Sequence, residues 1–228
     1  MKILSTGITL LDKRLGGGVP AGSMVCVYAN PISMPEAFLY QFASSTVSYY
    51  FTTSRLPKFI LEDMESLALE VGNVNFIDVY SRYYLSDTGG FIVEDQYRDR
   101  DIFDFIDEKL SSIDTDECAI IFDNLSFFLN LHVPPGLKEW LVNKIYHTTK
   151  NLNAVAYCYM IKGSHPKEIE NMVINLSDVV FDIDSEKAGD KMVNRLGIPK
   201  MRKMKPIDET FRYYISEGVQ IDTSKDIA

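Results

Sequence analysis

The sequence predicts an α/β fold with a mostly parallel central sheet and antiparallel strands at its C-terminal edge. Three observations carry this. The short apolar runs Met24-Val25-Cys26-Val27-Tyr28, Cys118-Ala119-Ile120-Ile121-Phe122 and Ala154-Val155-Ala156-Tyr157-Cys158-Tyr159-Met160 have the composition of strands buried on both faces. Runs with helical spacing separate them. From Val179 onward the helical spacing stops, and residues 194–201 and 210–215 read as antiparallel strands. With 228 residues, 46% hydrophobic and 24% charged, the chain has the composition of one globular domain spanning 1–228. No apolar run approaches the roughly 18 residues needed to span a bilayer, so no membrane association is expected. Met1-Lys2-Ile3-Leu4-Ser5 runs straight into polar, glycine-rich sequence, which does not read as a signal or transit peptide; the expected location is the cytoplasm.

Each element has a local reason. The glycine-dense approach Leu15-Gly16-Gly17-Gly18-Val19-Pro20, with Gly22-Ser23, leads into the first core strand. A helix is expected from Met34 to about Thr46, then the aromatic strand Val47-Ser48-Tyr49-Tyr50-Phe51. Leu56-Pro57 marks a helix start, and Phe59, Ile60, Met64, Leu67 and Ala68 keep helical spacing towards Gly72. Residues 74–80 form the next strand. The segment 82–98, rich in tyrosine and broken by Gly89-Gly90, reads as a surface excursion. Ile102, Phe103, Phe105, Ile106 and Leu110 outline another helix before the strand that ends in Asp123. Pro134-Pro135-Gly136 breaks the chain ahead of a helix over 137–151 and the strand over 154–160. The edge segment follows.

The first core strand is followed by the turn Ala29-Asn30-Pro31-Ile32-Ser33-Met34-Pro35-Glu36, where a phosphate-binding loop would sit. A loop of pattern G-x-x-x-x-G-K-[ST] needs glycines, a lysine and a hydroxyl, and here those positions hold Ala29, Met34, Pro35 and Glu36. Pro35 has no amide to donate. Ser33-x-x-Glu36 reads as a capping box, so the helix start is expected to satisfy its own donors, with Glu36 repelling a second anion.

The formal charge of -9 sets a broad nucleic-acid surface against the field of the whole molecule. One stretch departs from that background: Lys187, Lys191, Arg195, Lys200, Arg202, Lys203 and Lys205. Cys26, Cys118 and Cys158 fall in separate strands without metal-ligand spacing and are expected to be buried thiols. His132 and His147 lack a nucleophile or ligand partner at useful spacing and are read as structural.

Ser5-Thr6-Gly7-Ile8, Leu11-Asp12, Leu15-Gly16-Gly17-Gly18-Val19-Pro20 and Gly22-Ser23 together resemble the opening of KaiC-like and RadA-like members of the RecA superfamily of ATPases. Further similar stretches are Phe76-Ile77-Asp78, Asp123-Asn124-Leu125-Ser126, Ser177-Asp178-Val179-Val180 and Ile198-Pro199-Lys200-Met201-Arg202. The resemblance implies a RecA-like three-layer α/β/α sandwich. It places Pro35 and Glu36 where the family has its lysine and hydroxyl, and Thr52-Thr53 where it has paired glutamates, one of them the base for water. It implies that Lys200 and Arg202 lie at a subunit interface, a solvated edge strand being the plainer alternative. Lys162, His165 and Lys167 fall where RecA relatives contact DNA. Asp123 stands in the second nucleotide motif but, without a partner hydroxyl, is read as a packing remnant rather than a magnesium ligand.

The expectation is a catalytically inactive homologue with no ATP or magnesium cofactor. It would act as a regulatory or interaction module, in signal transduction or beside an active relative, with a protein partner or as a weak homo-oligomer. The alternatives are an ATP-binding ATPase with a rearranged site and a DNA-associated recombinase paralog.

Overall fold

Alternation along the first apolar run decides how the sheet is used. In the computed structural model, which describes residues 2–92, 98–205 and 207–222, that run is a central strand whose side chains divide by parity. Val25, Val27 and Ala29 enter one hydrophobic core, and Met24 and Cys26 enter the other. A strand apolar at every position has no solvent face, so helices cover both sides of it.

In chain order the elements are β1 (Ile3–Leu4), α1 (Thr9–Arg14), β2 (Val19–Pro20), β3 (Ser23–Ala29), a 3-10 turn (Pro31–Ser33), α2 (Pro35–Ser44), β4 (Ser48–Thr52), α3 (Pro57–Ser66), β5 (Val74–Asp78), α4 (Val79–Tyr84), α5 (Arg98–Ser111), β6 (Ala119–Asp123), α6 (Leu125–Asn130), α7 (Pro135–Asn151), β7 (Val155–Ile161), α8 (Lys167–Leu176), β8 (Val179–Ala188), β9 (Lys191–Met201), β10 (Phe211–Ser216) and β11 (Gly218–Asp222). Nine strands form one sheet of order β11-β10-β9-β8-β3-β7-β6-β4-β5. From β8 to β5 every pairing is parallel. From β8 to β11 every pairing is antiparallel, as the loss of helical spacing after Val179 predicts.

The three layers follow from the two cores. Phe38 and Phe42 of α2, with Ile60 and Met64 of α3, fill one side; Ile106 of α5, Phe128 of α6, Leu141 of α7 and Val173 of α8 fill the other. Phe42 of α2 stacks on Tyr157 of the sheet at 4.0 Å between centroids and pins those layers together, and within the sheet Phe51 stacks on its neighbour Phe122 at 4.5 Å. The three cysteines are free and buried, and burial pushes the Cys26 thiol up to about 12 and the Cys118 thiol to about 11.

The glycine-dense approach is a staple for the N-terminal segment. β1 pairs antiparallel with β2, and Gly18 has φ +133° with no room for a side chain, since a Cβ there would stand 2.0 Å from Leu4 O. Asp12 accepts from Ser5 Oγ (2.5 Å), Thr6 N–H (2.9 Å) and Thr6 Oγ1 (2.7 Å). The Ser5-Thr6 and Leu11-Asp12 motifs are therefore two halves of one hydrogen-bonded clasp.

Where the elements differ from expectation, local chemistry explains it. The strand expected over 74–80 stops at Asp78, whose Oδ1 accepts from Ser81 N–H at 2.8 Å and starts α4. The excursion over 82–98 holds the end of α4 and a Leu85–Phe91 bridge; its residues 93–97 lie outside the described residues. α1 and α6, six residues each, are too short to show a period. No helix among the described residues is long and apolar enough to cross a membrane.

Candidate functional site

β3 ends between β7 and β8, at the carboxyl end of the sheet, where ligands of open α/β sheets bind. The turn that leaves it spends its backbone donors internally at five positions. Asn30 N–H donates to Ile183 O (3.0 Å), Ile32 N–H to Asn30 Oδ1 (3.1 Å), Ser33 N–H to Asn30 O (3.0 Å), Met34 N–H to Pro31 O (3.4 Å) and Ala37 N–H to Met34 O (3.2 Å). Pro31 and Pro35 have no N–H. One side chain braces the turn from the antiparallel half of the sheet: Tyr213 donates its hydroxyl to Ser33 O at 2.6 Å.

The capping box expected at Ser33 and Glu36 does not form. Ser33 is fully buried in the 3-10 turn and turns its hydroxyl to Asn30 O. The N-cap of α2 is Met34, at φ 54° and ψ 55°, and no side chain caps the helix. That left-handed residue points Ser33 away from the amides it would have capped, and Asn30 caps the 3-10 turn instead. Glu36 sits half-buried in the first turn of α2. Burial pushes its carboxyl up, against the pull of its own N–H and of Arg55.

Asp123 closes β6. Its carboxylate is buried and accepts the Tyr50 hydroxyl at 2.7 Å. Burial raises its pKa to about 6, with Glu36 adding to the rise while Tyr50 and Arg55 oppose it. Both threonines that stand where the family resemblance expects glutamates are committed: Thr52 Oγ1 donates to Arg55 O (2.6 Å), and Thr53 Oγ1 donates to Asp123 O (2.9 Å) while accepting from Asn124 N–H (3.0 Å). Arg55 itself bonds the Tyr40 hydroxyl at 2.6 Å and pairs with Asp63. This Glu36, Tyr40, Tyr50, Arg55, Asp63 and Asp123 network was not read from the sequence as a unit. Its one trace there is Tyr50 and Arg55 flanking Thr52-Thr53.

Lys200 and Arg202 turn to their own chain. Lys200 Nζ donates to Ile174 O (2.6 Å) and Asn175 O (2.9 Å), and Arg202 to Asn175 O (2.7 Å) and Leu176 O (3.3 Å), the last carbonyls of α8. Arg202 also lies 3.6 Å from Asp178. Lys162 pairs with Asp182 and, at 2.8 Å, with Asp184. His165 is buried against Ser126, and Lys167 is exposed, so these three do not make one basic surface. His132, 87% exposed at its side chain, donates its backbone N–H to Asp99 at 2.7 Å, and the exposed His147 lies edge-on to Tyr146.

A family model described as a family of unknown function, DUF7125, matches residues 3–228. The chain belongs to that family. No curated protein matches its sequence. Among solved structures, this member of DUF7125 is similar to a KaiC-like protein from the hyperthermophilic archaeon Pyrococcus horikoshii OT3. The TM-score is 0.74 at 14% sequence identity, over 97% of this chain and 99% of that one. At that identity the likeness concerns the fold, which is KaiC-like and of RecA type: a mixed sheet with a parallel body and an antiparallel edge.

Proposed function

We propose that this chain is a KaiC-like domain that neither binds magnesium-ATP nor hydrolyses it and works as a regulatory or interaction module. The observation that carries the reading is the turn after β3, whose backbone donors at Asn30, Ile32, Ser33, Met34 and Ala37 are spent inside the protein. A phosphate cradle is made of such donors left free and converging. Further support comes from the residues around it. Glu36 adds negative charge where the phosphates would lie, and the buried Asp123 carboxylate is already engaged by the Tyr50 hydroxyl. Thr52 and Thr53 have no basic group to activate water.

A protein of this kind acts through what it touches, either a protein partner or a weakly associating second copy, in signal transduction or beside an active relative. The exposed apolar side chains Ile32 (72%) and Met34 (54%) at the tip of the turn are the surface such a contact would use first. Calorimetric titration with ATP and magnesium tests the reading, together with thermal unfolding. Ligand at about 100 times its dissociation constant would add roughly 2.7 kcal/mol to stability, and no shift is expected. A magnesium-dependent micromolar dissociation constant would remove the basis of the proposal.

A further inference from the structure

Two features at the carboxyl end of the sheet have complementary chemistry. The first is the tip of the turn after β3. Pro31, Ile32 and Met34 are exposed there, while Ser33 and Pro35 between them are buried. The internal hydrogen bonds of the turn and the Tyr213 hydroxyl on Ser33 O fix it in this form. A contact made by the tip therefore orders little new chain. Glu36 follows at the start of α2, and its carboxylate forms no ion pair among the described residues, Arg55 being paired with Asp63.

The second feature is an open cleft of about 580 Å³ between the connection from α6 to α7 and the segment entering α8. Leu131, Val133, Pro134 and Ile169 give it an apolar wall. Its ionisable lining residues are Lys138, His132 and His165. No carboxylate lines it, although the chain carries 32 acids against 23 lysines and arginines. Lys138 donates to Leu129 O at 2.7 Å, has two protons left, and forms no ion pair among the described residues. An apolar protrusion beside an unpaired carboxylate is thus complementary to an apolar hollow beside an unpaired ammonium.

Position makes the match usable. β3, β7 and β6 are parallel neighbours, so the turn after β3, the connection beyond β6 and the segment after β7 all lie at one end of the sheet. The turn leads into α2 on one face, and the cleft lies among α6, α7 and α8 on the other. Two copies set end to end about a twofold axis in the plane of the sheet therefore bring the tip of each over the cleft of the other.

We propose that the chain forms a weak twofold dimer in which Ile32 and Met34 of each copy enter the apolar cleft of the other and Glu36 faces Lys138. The assignment rests on the interaction-module reading above and names the partner as a second copy. An exposed ion pair adds little on its own, so apolar insertion carries the affinity and the pair sets the register. Two such contacts amount to less than a standard interface, which puts the dissociation constant on the order of 0.1 mM.

The test is sedimentation equilibrium without nucleotide, from about 10 μM to about 1 mM protein. A monomer–dimer equilibrium is expected with nothing beyond the dimer, because reciprocal contacts close. In the parent, dilution should shift the amide signals of Ile32, Met34, Val133 and Lys138 and leave those of β1 and β2 in place. Ile32→Asp and Val133→Asp should each raise the dissociation constant about tenfold or more, since a charge would then enter an apolar contact. An equimolar mixture of the two variants should associate more tightly than either alone, because the mixed dimer keeps one intact tip in one intact cleft. Lys138→Glu and Glu36→Lys should each weaken the dimer severalfold, and the double variant should regain most of the loss. Thermal unfolding like the parent's identifies each variant as folded. A chain monomeric throughout, Ile32→Asp dimerising like the parent, a mixture no tighter than its components, a double variant no better than the single ones, or growth beyond two copies would each overturn the dimer. Any of these leaves the nucleotide reading standing, which falls instead to magnesium-dependent binding of ATP.

Discussion

At the scale of single residues, Met34 is the one that shapes the turn. It holds a left-handed backbone with its side chain 54% exposed, a conformation that glycine adopts freely and that costs other residues roughly 1–2 kcal/mol. Met34→Gly is therefore expected to stabilise the protein by about 0.5–1 kcal/mol, read as an increased urea midpoint at unchanged slope. A destabilised variant would mean that the exposed thioether is packed after all. The sequence puts Pro35 and Glu36 at the positions where a phosphate-binding loop carries its lysine and hydroxyl. It could not show that Met34 would take the N-cap, because the Ser33-x-x-Glu36 spacing is that of a capping box and only the backbone angle of the residue between them decides otherwise.

At the scale of elements, the end of α8 explains the basic strand. Lys200 and Arg202 reach across from β9 and place two cations on carbonyls that the helix leaves unpaired. Either residue replaced by alanine is expected to cost about 0.5–1 kcal/mol, and Lys200→Glu with Arg202→Glu to cost more, since carboxylates would then face the negative end of the dipole. Urea unfolding at low and high salt checks this, the loss shrinking as salt rises. A double variant as stable as its parent would mean that the contacts are incidental. The existence and type of β3, β6, β7, α5 and α7 were legible because each carries its period over enough residues. α8 has Ile169, Met172, Val173 and Leu176 at helical spacing, yet what its far end needs is supplied by residues more than twenty positions on, which no local pattern announces.

At the scale of the whole molecule, alternation predicted the layers, and the loss of helices after Val179 predicted the antiparallel edge. The order of the strands was not legible from periodicity, because the apolar runs of β3, β6 and β7 fit any central position equally well. The buried acids give the fold a pH dependence of known sign. Asp123 has its carboxyl at about 6 against an ordinary 3.8, so the folded chain takes up this proton more readily than the unfolded one. Its stabilising contribution is complete below about pH 4 and is lost as pH rises through about 6; the upward shift of Glu36 acts in the same sense. Asp123→Asn keeps an acceptor for Tyr50 and removes the charge. It should raise stability at mildly alkaline pH by about 2 kcal/mol and flatten the profile between about pH 4 and 6, as unfolding midpoints across that range would report. A variant with the parent's profile would place the dependence elsewhere. The bond from Tyr213 to Ser33 spans 180 positions. The turn that opens the core is thus clasped by a strand made long after it. Until residue 213 has emerged, the nascent chain holds this crossover without that brace, and Ile32 and Met34 stand exposed at its tip before and after the brace forms.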